Sequence, residues 1–279
     1  MKLHLFKTLW GHEAGMEEAC KQACAQGFSG IEGPVPGNLA DVQLMYDLLL
    51  RYELRFIAEI TTAGSYVPDR HASLEQHIAS LEKKLQACQS LSPLFVTCLG
   101  GCDAWPEEKS IRFFEAAMAL ANDYAIPISF ETHRGRSFFN PWVTARICDA
   151  LPAIKLTCDF SHWCVVCERL LVGEEETLSK IFTKAFHIHA RIGYDQGPQV
   201  SAPSSSLYEQ ALLSHESWWQ AIWQSQQQRG FEQTTMTPEF GPDGYQAVDA
   251  ITGEPLGDLW QMNSWVGHRQ KTHFDRIFT

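Results

Sequence analysis

Three carboxylates and one histidine stand at the ends of four successive strand-like runs in this 279-residue chain. They are Glu131, Asp159, His189 and Glu239, and each follows a short, largely apolar stretch. The intervals from Glu131 to Asp159 and from Asp159 to His189 are each about 30 residues, the length of one strand–helix–strand unit. The spacing therefore predicts that the four side chains meet at one edge of neighbouring parallel strands.

Side chains of these types, brought together, would need a cation among them. Carboxylates in close proximity repel and raise one another's pKa values unless a positive charge compensates. A set of mostly oxygen ligands with a single imidazole favours Mn²⁺ or Mg²⁺ first, and Co²⁺ or Zn²⁺ after them. We therefore predict a site for one divalent metal ion.

The segment 186–191, Phe-His-Ile-His-Ala-Arg, alternates apolar and polar residues. In a strand this period of two places His187, His189 and Arg191 on one face, with His189 and Arg191 nearest the exit. His187 would lie one layer deeper, either as a hydrogen-bonded core residue or as a group behind the metal ligands. The long Gly/Pro/Ser-containing loop 192–206 accounts for the longer interval before Glu239 and could act as a lid.

The elements that must position these residues alternate regularly along the chain. Apolar periodicity and Gly/Pro breaks predict eight strand–helix pairs, and we expect a single (β/α)₈ TIM barrel over residues 1–279. An open doubly wound sheet is the alternative, but residues 11–15 after the first strand do not match a GxGxxG phosphate loop. The predicted strands are 3–10, 28–32, 54–60, 93–99, 126–131, 153–159, 185–191 and 233–239. The predicted helices are 15–26, 39–52, 73–89, 107–124, 141–150, 170–182, 208–228 and 258–277.

The composition excludes several classes of protein. The chain is 45% hydrophobic, yet no apolar run approaches the roughly 20 residues of a membrane span, and the start of the sequence shows no signal peptide, so we expect a cytoplasmic protein. A net charge of −11 argues against binding nucleic acid through a basic surface. Nine scattered cysteines suit reduced thiols in a core better than a disulfide framework.

Further polar residues fall where the barrel would open, at the C-terminal ends of its strands, where TIM barrels carry their chemistry. Trp10 could stack on a sugar ring or simply cover the rim. Glu32 and Glu59 could bind substrate hydroxyls or pair with a nearby arginine, Arg134 or Arg191. His133, with its neighbouring arginines at 134 and 136, could bind a substrate phosphate or carboxylate or lie in an ordinary solvated loop.

Several short motifs at these strand ends resemble those of one family. The chain resembles the xylose-isomerase-like TIM barrels, the sugar phosphate isomerase/epimerase superfamily that also contains the endonuclease IV type of AP endonuclease, over essentially its whole length. The matching segments are Gly30-Ile31-Glu32, Phe130-Glu131, Asp159-Phe160-Ser161-His162, His187-Ile188-His189 and Pro238-Glu239.

The resemblance implies a role for each matched residue. By analogy with the ketose 3-epimerases, the metal ligands would be Glu131, Asp159, His189 and Glu239, and substrate oxygens would contact His162 and Arg191. One glutamate of the pair Glu131 and Glu239 would remove the proton beside a metal-bound carbonyl, and the other would return a proton from the opposite side. The implied enzyme is a divalent-metal-dependent isomerase or epimerase of a sugar or sugar-derived hydroxy-carbonyl compound, acting through a metal-bound enediolate in carbohydrate metabolism.

Two other functions remain open on the same fold. One is a metal-dependent dehydratase or lyase, and the other is a barrel that binds metal or sugar without catalysis. A nuclease with three metals is disfavoured because strands three and four end in residues 59–61 and 98–100, which contain no histidine. The expected partner is a small sugar-like molecule, not nucleic acid or membrane. Tryptophans 218, 219 and 223, at helical spacing, would lie in the core or at a subunit contact of a homo-oligomer.

Overall fold

The computed structural model describes residues 1–278 and shows a closed barrel of eight parallel strands. Each strand pairs with the next along the chain, and the last pairs with the first, as in the register of Lys2 with Gln233. The predicted (β/α)₈ TIM barrel is confirmed. The strands are β1 Lys2–Thr8, β2 Gly30–Gly33, β3 Arg55–Thr61, β4 Val96–Leu99, β5 Ile128–Glu131, β6 Leu156–Cys158, β7 Ala185–His189 and β8 Gln233–Thr237.

Helices alternate with the strands and form the outer layer. They are α1 Met16–Ala25, α2 Leu39–Arg51, α3 Leu74–Cys88, α4 Glu107–Asp123, α5 Pro141–Ala150, α6 Ser161–Cys167, α7 Glu175–Phe182, α8 Glu209–Gln228 and α9 Leu259–Phe278. The helix expected over 170–182 is shorter than predicted and is preceded by α6, which the sequence did not indicate. Helix α6 ends at Cys167, and the next residue, Glu168, has a left-handed φ of 51°. None of these helices, over residues 1–278, is long and apolar enough to cross a membrane.

The barrel interior changes from apolar to polar along its axis. A small cluster of Phe6, Ile57 and Phe95 fills one end, separate from the main core between strands and helices. Gly30 permits this filling, because a side chain there would collide with the Phe6 ring and with the backbone of β3. His187 lies next to Phe95, with 5.2 Å between their ring centroids, and begins the polar part of the interior.

The cysteines and the α8 tryptophans lie mostly in the core. All nine cysteines are free, and seven of them are buried. Burial raises the pKa of the Cys98 thiol to about 12, which keeps it protonated and unreactive at neutral pH. Trp219 and Trp223 are fully buried and Trp218 nearly so, which corresponds to the core alternative for these three residues.

One buried arginine fastens a loop beside the barrel mouth. Arg136 donates from Nη1 to the carbonyl oxygens of Thr62 at 2.7 Å and Gly101 at 3.3 Å, and from Nη2 to that of Ser65. Its Nε donates to the carbonyl oxygen of Tyr66 at 3.3 Å. Because these bonds use four of the five N–H donors of its guanidinium, Arg136 holds the loop after β3 and has no pair of free donors with which to bind a substrate anion.

Candidate metal centre and active site

The four residues singled out by spacing lie together at the C-terminal end of the barrel. Glu131 and His189 are the last residues of β5 and β7, and Asp159 and Glu239 follow β6 and β8. One potential ligand atom from each lies within 4.8 Å of those of the other three, and all four residues are buried. The closed barrel brings them together because it sets the ends of its parallel strands side by side on one rim.

The His189 ring presents a different nitrogen to each side of the site. Its Nδ1 lies 3.1 Å from Glu239 Oε2 and 3.6 Å from Glu131 Oε1, while its Nε2 lies 3.0 Å from Glu32 Oε1. Nδ1 is buried and has no hydrogen-bond partner of suitable geometry within residues 1–278. Burial alone would lower the pKa of His189, but the charges of Glu239, Glu32 and Glu131 together raise it well above its usual value. The surroundings of Nδ1 therefore favour a positive charge there.

Glu32 lies beneath this ring and joins two histidines. Its Oε1 contacts His189, and its Oε2 lies 3.0 Å from His187 Nε2 and accepts a hydrogen bond from the Thr237 hydroxyl. The His187 Nδ1 lies 2.7 Å from Thr235 Oγ1. Burial would raise the pKa of Glu32, but the two histidines hold it well below its usual value. Both Glu32 oxygens are thus engaged by the barrel interior, whereas the sequence suggested contact with substrate or with an arginine.

Arg191 supplies a fixed positive charge beside the carboxylates. Its Nη2 donates to Asp159 Oδ2 and lies 2.7 Å from His162 Nε2, and its Nε donates to the Ser161 hydroxyl at 3.1 Å. The same Nη2 is 3.9 Å from Glu239 Oε2. Arg191 is only 2% exposed. The alternation of the β7 segment, continued two residues beyond the strand, aims this side chain into the cluster.

Asp159 is held on both of its oxygens. Oδ1 accepts hydrogen bonds from the Ser161 N–H at 2.9 Å and from the Ser161 hydroxyl at 2.5 Å, while Oδ2 faces Arg191. Burial raises the pKa of Asp159, although Arg191 and Ser161 oppose this change. These contacts fix the direction in which the carboxylate faces the other three residues.

Two glutamates, Glu131 of the cluster and Glu59 beside it, have pKa values raised by their surroundings. Burial raises the pKa of Glu131 to about 7, against the opposing effect of His189. Burial, followed by the charges of Glu239 and Glu131, raises the pKa of Glu59 to about 8. Among the described residues Glu59 has no hydrogen bond or ion pair. The Glu59 side chain lies near the mouth of the barrel, as its position on β3 predicted.

The rings of His133 and His162 lie against each other, with 3.9 Å between their centroids. Burial lowers the pKa of both well below the usual value, so both rings are neutral at pH 7. His162 Nε2 lies 3.6 Å from Asp159 Oδ2 and 4.0 Å from Glu131 Oε1. His133 Nδ1 lies 2.5 Å from the carbonyl oxygen of Arg134. His133 lines the cavity with Glu131, but its ring adds no positive charge that would attract an anion.

Aromatic side chains close the site from above. The Trp10 ring lies 5.6 Å from that of Tyr66 and 5.0 Å from that of Tyr245, and its Nε1 donates to Asp243 Oδ2 at 2.8 Å. Arg191 stacks on Trp10 and on Tyr245, at 5.3 and 4.8 Å from the ring centroids. Tyr66 and Tyr245 lie in irregular loops, and nothing in the sequence pattern pointed to them.

The loop after β7, which is long enough to act as a lid, is held to the barrel at Gln199 and Val200 in this structure. Gln199 donates to the carbonyl oxygen of Gly241 at 3.1 Å and accepts from its N–H at 2.9 Å, and Val200 is fully buried. The residues that cover the cluster come from the loops after β1, β3 and β8. Trp10 was predicted at this rim, and it contacts Arg191 there.

These residues fit a divalent metal ion. Three carboxylates and the unpartnered Nδ1 of His189 converge, and the carboxylate behind Nε2 would hold the ring in the tautomer that offers Nδ1 as a ligand. Arg191 adds one positive charge, so three ionised carboxylates, this arginine and a divalent ion would sum to zero. The chemistry of the ligand set is that of a hard or borderline cation.

Solved structures of the same fold cover nearly the whole chain. D-Allulose 3-epimerase from Methylomonas sp., in complex with D-allulose, has a TM-score of 0.64 and 16% identity over 97% of both chains. IolI with a bound zinc atom has a TM-score of 0.64 and 15% identity over 98% of this chain and 99% of its own. The 3-keto-D-glucoside 4-epimerase YcjR from E. coli has a TM-score of 0.60 and 10% identity over 97% of this chain and 100% of its own.

At these identities the likeness shows the fold alone. No protein-family model matches the sequence, and no curated protein matches it. The xylose-isomerase-like TIM barrel, predicted from the strand-end motifs, is confirmed as the fold of this chain.

Proposed function

We propose that this protein is a divalent-metal-dependent isomerase or epimerase of a sugar or sugar-derived hydroxy-carbonyl compound. The observation that carries the proposal is the orientation of His189, whose buried, unpartnered Nδ1 faces Glu131 and Glu239 while Glu32 holds the opposite nitrogen. The structural neighbours include epimerases of a free ketose and of a keto-glucoside. Their substrates define the compounds to be tried first.

The residues in and around the cluster would have three roles: binding the metal ion, transferring the proton and positioning the substrate. A divalent ion bound by Glu131, Asp159, His189 and Glu239 would polarise a substrate carbonyl and stabilise negative charge beside it. Glu131 and Glu239, from β5 and the segment after β8, are the carboxylates we propose to remove and return the proton on the neighbouring carbon. Arg191 and His162 would position a substrate oxygen.

The aromatic cover would serve this chemistry by excluding water. Trp10, Tyr66 and Tyr245 enclose the cluster, and an enclosed, water-poor site strengthens the electrostatic interactions within it. A sugar would have to displace part of this cover to enter. We therefore expect the loops that carry these three residues to open when substrate binds.

A dehydratase or lyase is the second candidate, and Glu59 favours it. This glutamate lines the cavity at the metal cluster and has no hydrogen bond within residues 1–278. An acid so placed could protonate a leaving hydroxyl group, a step that an epimerase does not need.

The test has two stages. Metal analysis of the purified protein should find about one divalent ion per chain. The metal-loaded protein is then incubated in deuterated water with ketoses, sugar acids and keto-glycosides. Deuterium on carbon with change of configuration or carbonyl position supports an isomerase or epimerase, and loss of water indicates a dehydratase. Binding without either reaction indicates a binding protein.

Variants of the two proposed bases test whether they carry the reaction, and metal measurements distinguish the loss of a base from the loss of bound metal. We expect Glu131→Gln and Glu239→Gln to abolish exchange on carbon. Their metal content is measured in parallel, and exchange is repeated at saturating Mn²⁺, because each residue is also a proposed ligand. Exchange that persists in both variants would show the base assignment to be wrong.

A further inference from the structure

The space at the metal cluster is too small for a sugar. The cavity between Glu131, Glu239 and the aromatic cover has a volume of about 10 Å³, room for one water-sized sphere. Beside it lies a cleft of about 830 Å³. Trp10, Glu59 and Tyr66 line both spaces, so these side chains separate the cleft from the site, and the loop opening proposed above would join the two.

The cleft has walls of two kinds. The loops after β1 and β2 contribute apolar side chains, among them Leu9, Val35 and Pro36. Strand β3, the loop after it and helix α3 contribute hydroxyl and amino groups, namely Thr61, Ser65, Ser80, Lys83 and Lys84. A pyranose ring offers the same division, with apolar C–H faces and a hydroxyl edge, and it packs well beside an indole such as that of Trp10.

The polar wall keeps hydrogen-bonding capacity for a ligand. Ser80 Oγ accepts from the Ala63 N–H at 3.2 Å, which leaves its hydroxyl hydrogen to donate elsewhere. Lys84 Nζ donates to the carbonyl oxygen of Thr61 at 2.5 Å and to its hydroxyl oxygen at 3.0 Å, so one N–H is unused. Lys83 has no ion pair within the part of the chain that the structure describes.

We propose that the substrate has two parts: a hydroxy-carbonyl ring at the carboxylate cluster and a second, neutral sugar ring in this cleft. The substrate class is then a keto-disaccharide or related keto-glycoside, and this inference rests on the proposed function. A volume of about 830 Å³ lies within the range of about 300–1,000 Å³ that holds ligands larger than one sugar ring. The described residues that line the cleft include no arginine, the side chain best suited to hold a phosphate by two bonds.

Two substitutions can fill the cleft without disturbing the fold. Gly37 lines it, and a Cβ at that position would meet no atom within 4 Å. Ala87 lines it from an exposed position on α3. Gly37→Trp and Ala87→Trp are therefore the blocking variants, and Gly37→Ala is the matched control that leaves the cleft open.

The first measurement needs no turnover. Lactose, cellobiose, maltose and sucrose, with glucose and fructose as monosaccharides, are titrated into the Mn²⁺-loaded protein by calorimetry and saturation-transfer NMR. We expect at least one disaccharide to bind about tenfold more tightly than its component sugars, a difference of about 1.4 kcal/mol. Both tryptophan variants should remove this preference and change monosaccharide binding less than about twofold, whereas Gly37→Ala should keep it.

The results that overturn the inference are distinct from those that overturn the proposed function. Equal binding of mono- and disaccharides, or equal losses for both in the blocking variants, would rule out a second-ring site. Tighter binding of glucose 6-phosphate or fructose 6-phosphate that Lys83→Met abolishes would replace the second ring by an anion. If disaccharides bind as expected but neither 3-keto-lactose nor 3-keto-glucose exchanges deuterium on carbon, the proposed reaction fails while the second-ring site stands.

Discussion

Glu32 Oε1 lies 3.0 Å from His189 Nε2, on the opposite side of the imidazole from Glu239, whose Oε2 is 3.1 Å from Nδ1. The ring is therefore held between a carboxylate of β2 and a carboxylate that follows β8. A carboxylate behind a metal-binding histidine fixes the ring and its tautomer and makes the ligating nitrogen more basic. Glu32 would thus act on a metal ion through His189, without touching it.

Glu32→Gln should weaken metal binding while leaving the four proposed ligands in place. The amide loses the negative charge that holds the proton on Nε2, and we expect the affinity for Mn²⁺ to fall by about 10- to 100-fold. Calorimetric titration of Mn²⁺ into metal-free protein measures this change. Glu108→Gln, an exposed residue of α4, is the control with the same chemical substitution. An unchanged affinity in Glu32→Gln would show that Glu32 only fills the barrel.

Arg191 should oppose metal binding because its charge lies against a proposed ligand. Its guanidinium contacts Asp159 and lies 3.9 Å from Glu239. Unit charges about 4 Å apart interact by several kcal/mol at an effective dielectric constant near 20. We expect Arg191→Gln to raise the Mn²⁺ affinity by about tenfold or more while it weakens substrate binding.

The control for this prediction is Arg191→Lys, which keeps the charge but not the planar fork of donors. Its Mn²⁺ affinity should stay close to that of the unchanged protein. A fall in Mn²⁺ affinity in both variants would mean that Arg191 serves mainly to orient Asp159.

The position of the four-residue cluster could be predicted because, in a barrel of parallel strands, the order of the strands along the chain gives the order of their ends around one rim. Glu131 and His189 end their strands, Asp159 and Glu239 lie one and two residues beyond theirs, and all strand ends meet at one rim. The same rule placed Trp10 and Arg191 near the site. Periodicity could not give their partners, because the stacking of Arg191 on Tyr245 depends on an irregular loop.

The role of Glu32 also lay beyond the sequence pattern. Glu32 and His189 are remote in the chain, and strand position gives only the direction and approximate depth of each side chain. Whether two inward-facing residues touch depends on the width of the barrel at that layer and on the rotamers that packing permits. Helix α6 was missed for a related reason: it begins two residues after Asp159, and its first N–H is bound by the Asp159 carboxylate, not by a side chain at the N-cap position.

A buried histidine outside the site should make stability depend on pH. His215 Nδ1 lies 2.9 Å from the carbonyl oxygen of Ala211, to which it donates, and its Nε2 accepts from the Gly193 N–H at 3.3 Å. Burial lowers the pKa of His215 from 6.5 to about 4. Between these values the unfolded chain binds a proton that the folded protein does not. The free energy of unfolding should therefore fall as the pH drops from about 6.5 to about 4, by at most about 3 kcal/mol from this residue.

Urea unfolding at several pH values measures this loss. His215→Gln removes the titrating group, so its free energy of unfolding should decline less over the same range, whatever its value at pH 7. His71→Gln, at an exposed position, is the control and should follow the unchanged protein. Parallel pH profiles for His215→Gln and the unchanged protein would contradict the assignment.

Arg136 should be needed both for stability and for the shape of the mouth. It is fully buried, and its donors join the carbonyl oxygens of Thr62, Ser65 and Tyr66 to that of Gly101. Arg136→Met keeps much of the side-chain volume but leaves these oxygens without a donor, at about 1–3 kcal/mol for each one that water does not reach. We expect the free energy of unfolding to fall by about 3 kcal/mol or more.

Because Tyr66 covers the metal cluster from the loop after β3, Arg136→Met should also raise the KM for substrate, while its Mn²⁺ affinity stays close to that of the unchanged protein. Arg134→Met, two residues before Arg136 in the loop after β5, carries the same change in charge. The Arg134 side chain makes no hydrogen bond within residues 1–278 and lies over the Tyr245 ring at 4.9 Å, so this substitution should lower the free energy of unfolding by no more than about 1 kcal/mol. If Arg136→Met were as stable as Arg134→Met, the loop would have to be held by its own turns, and Tyr66 would keep its place without the arginine.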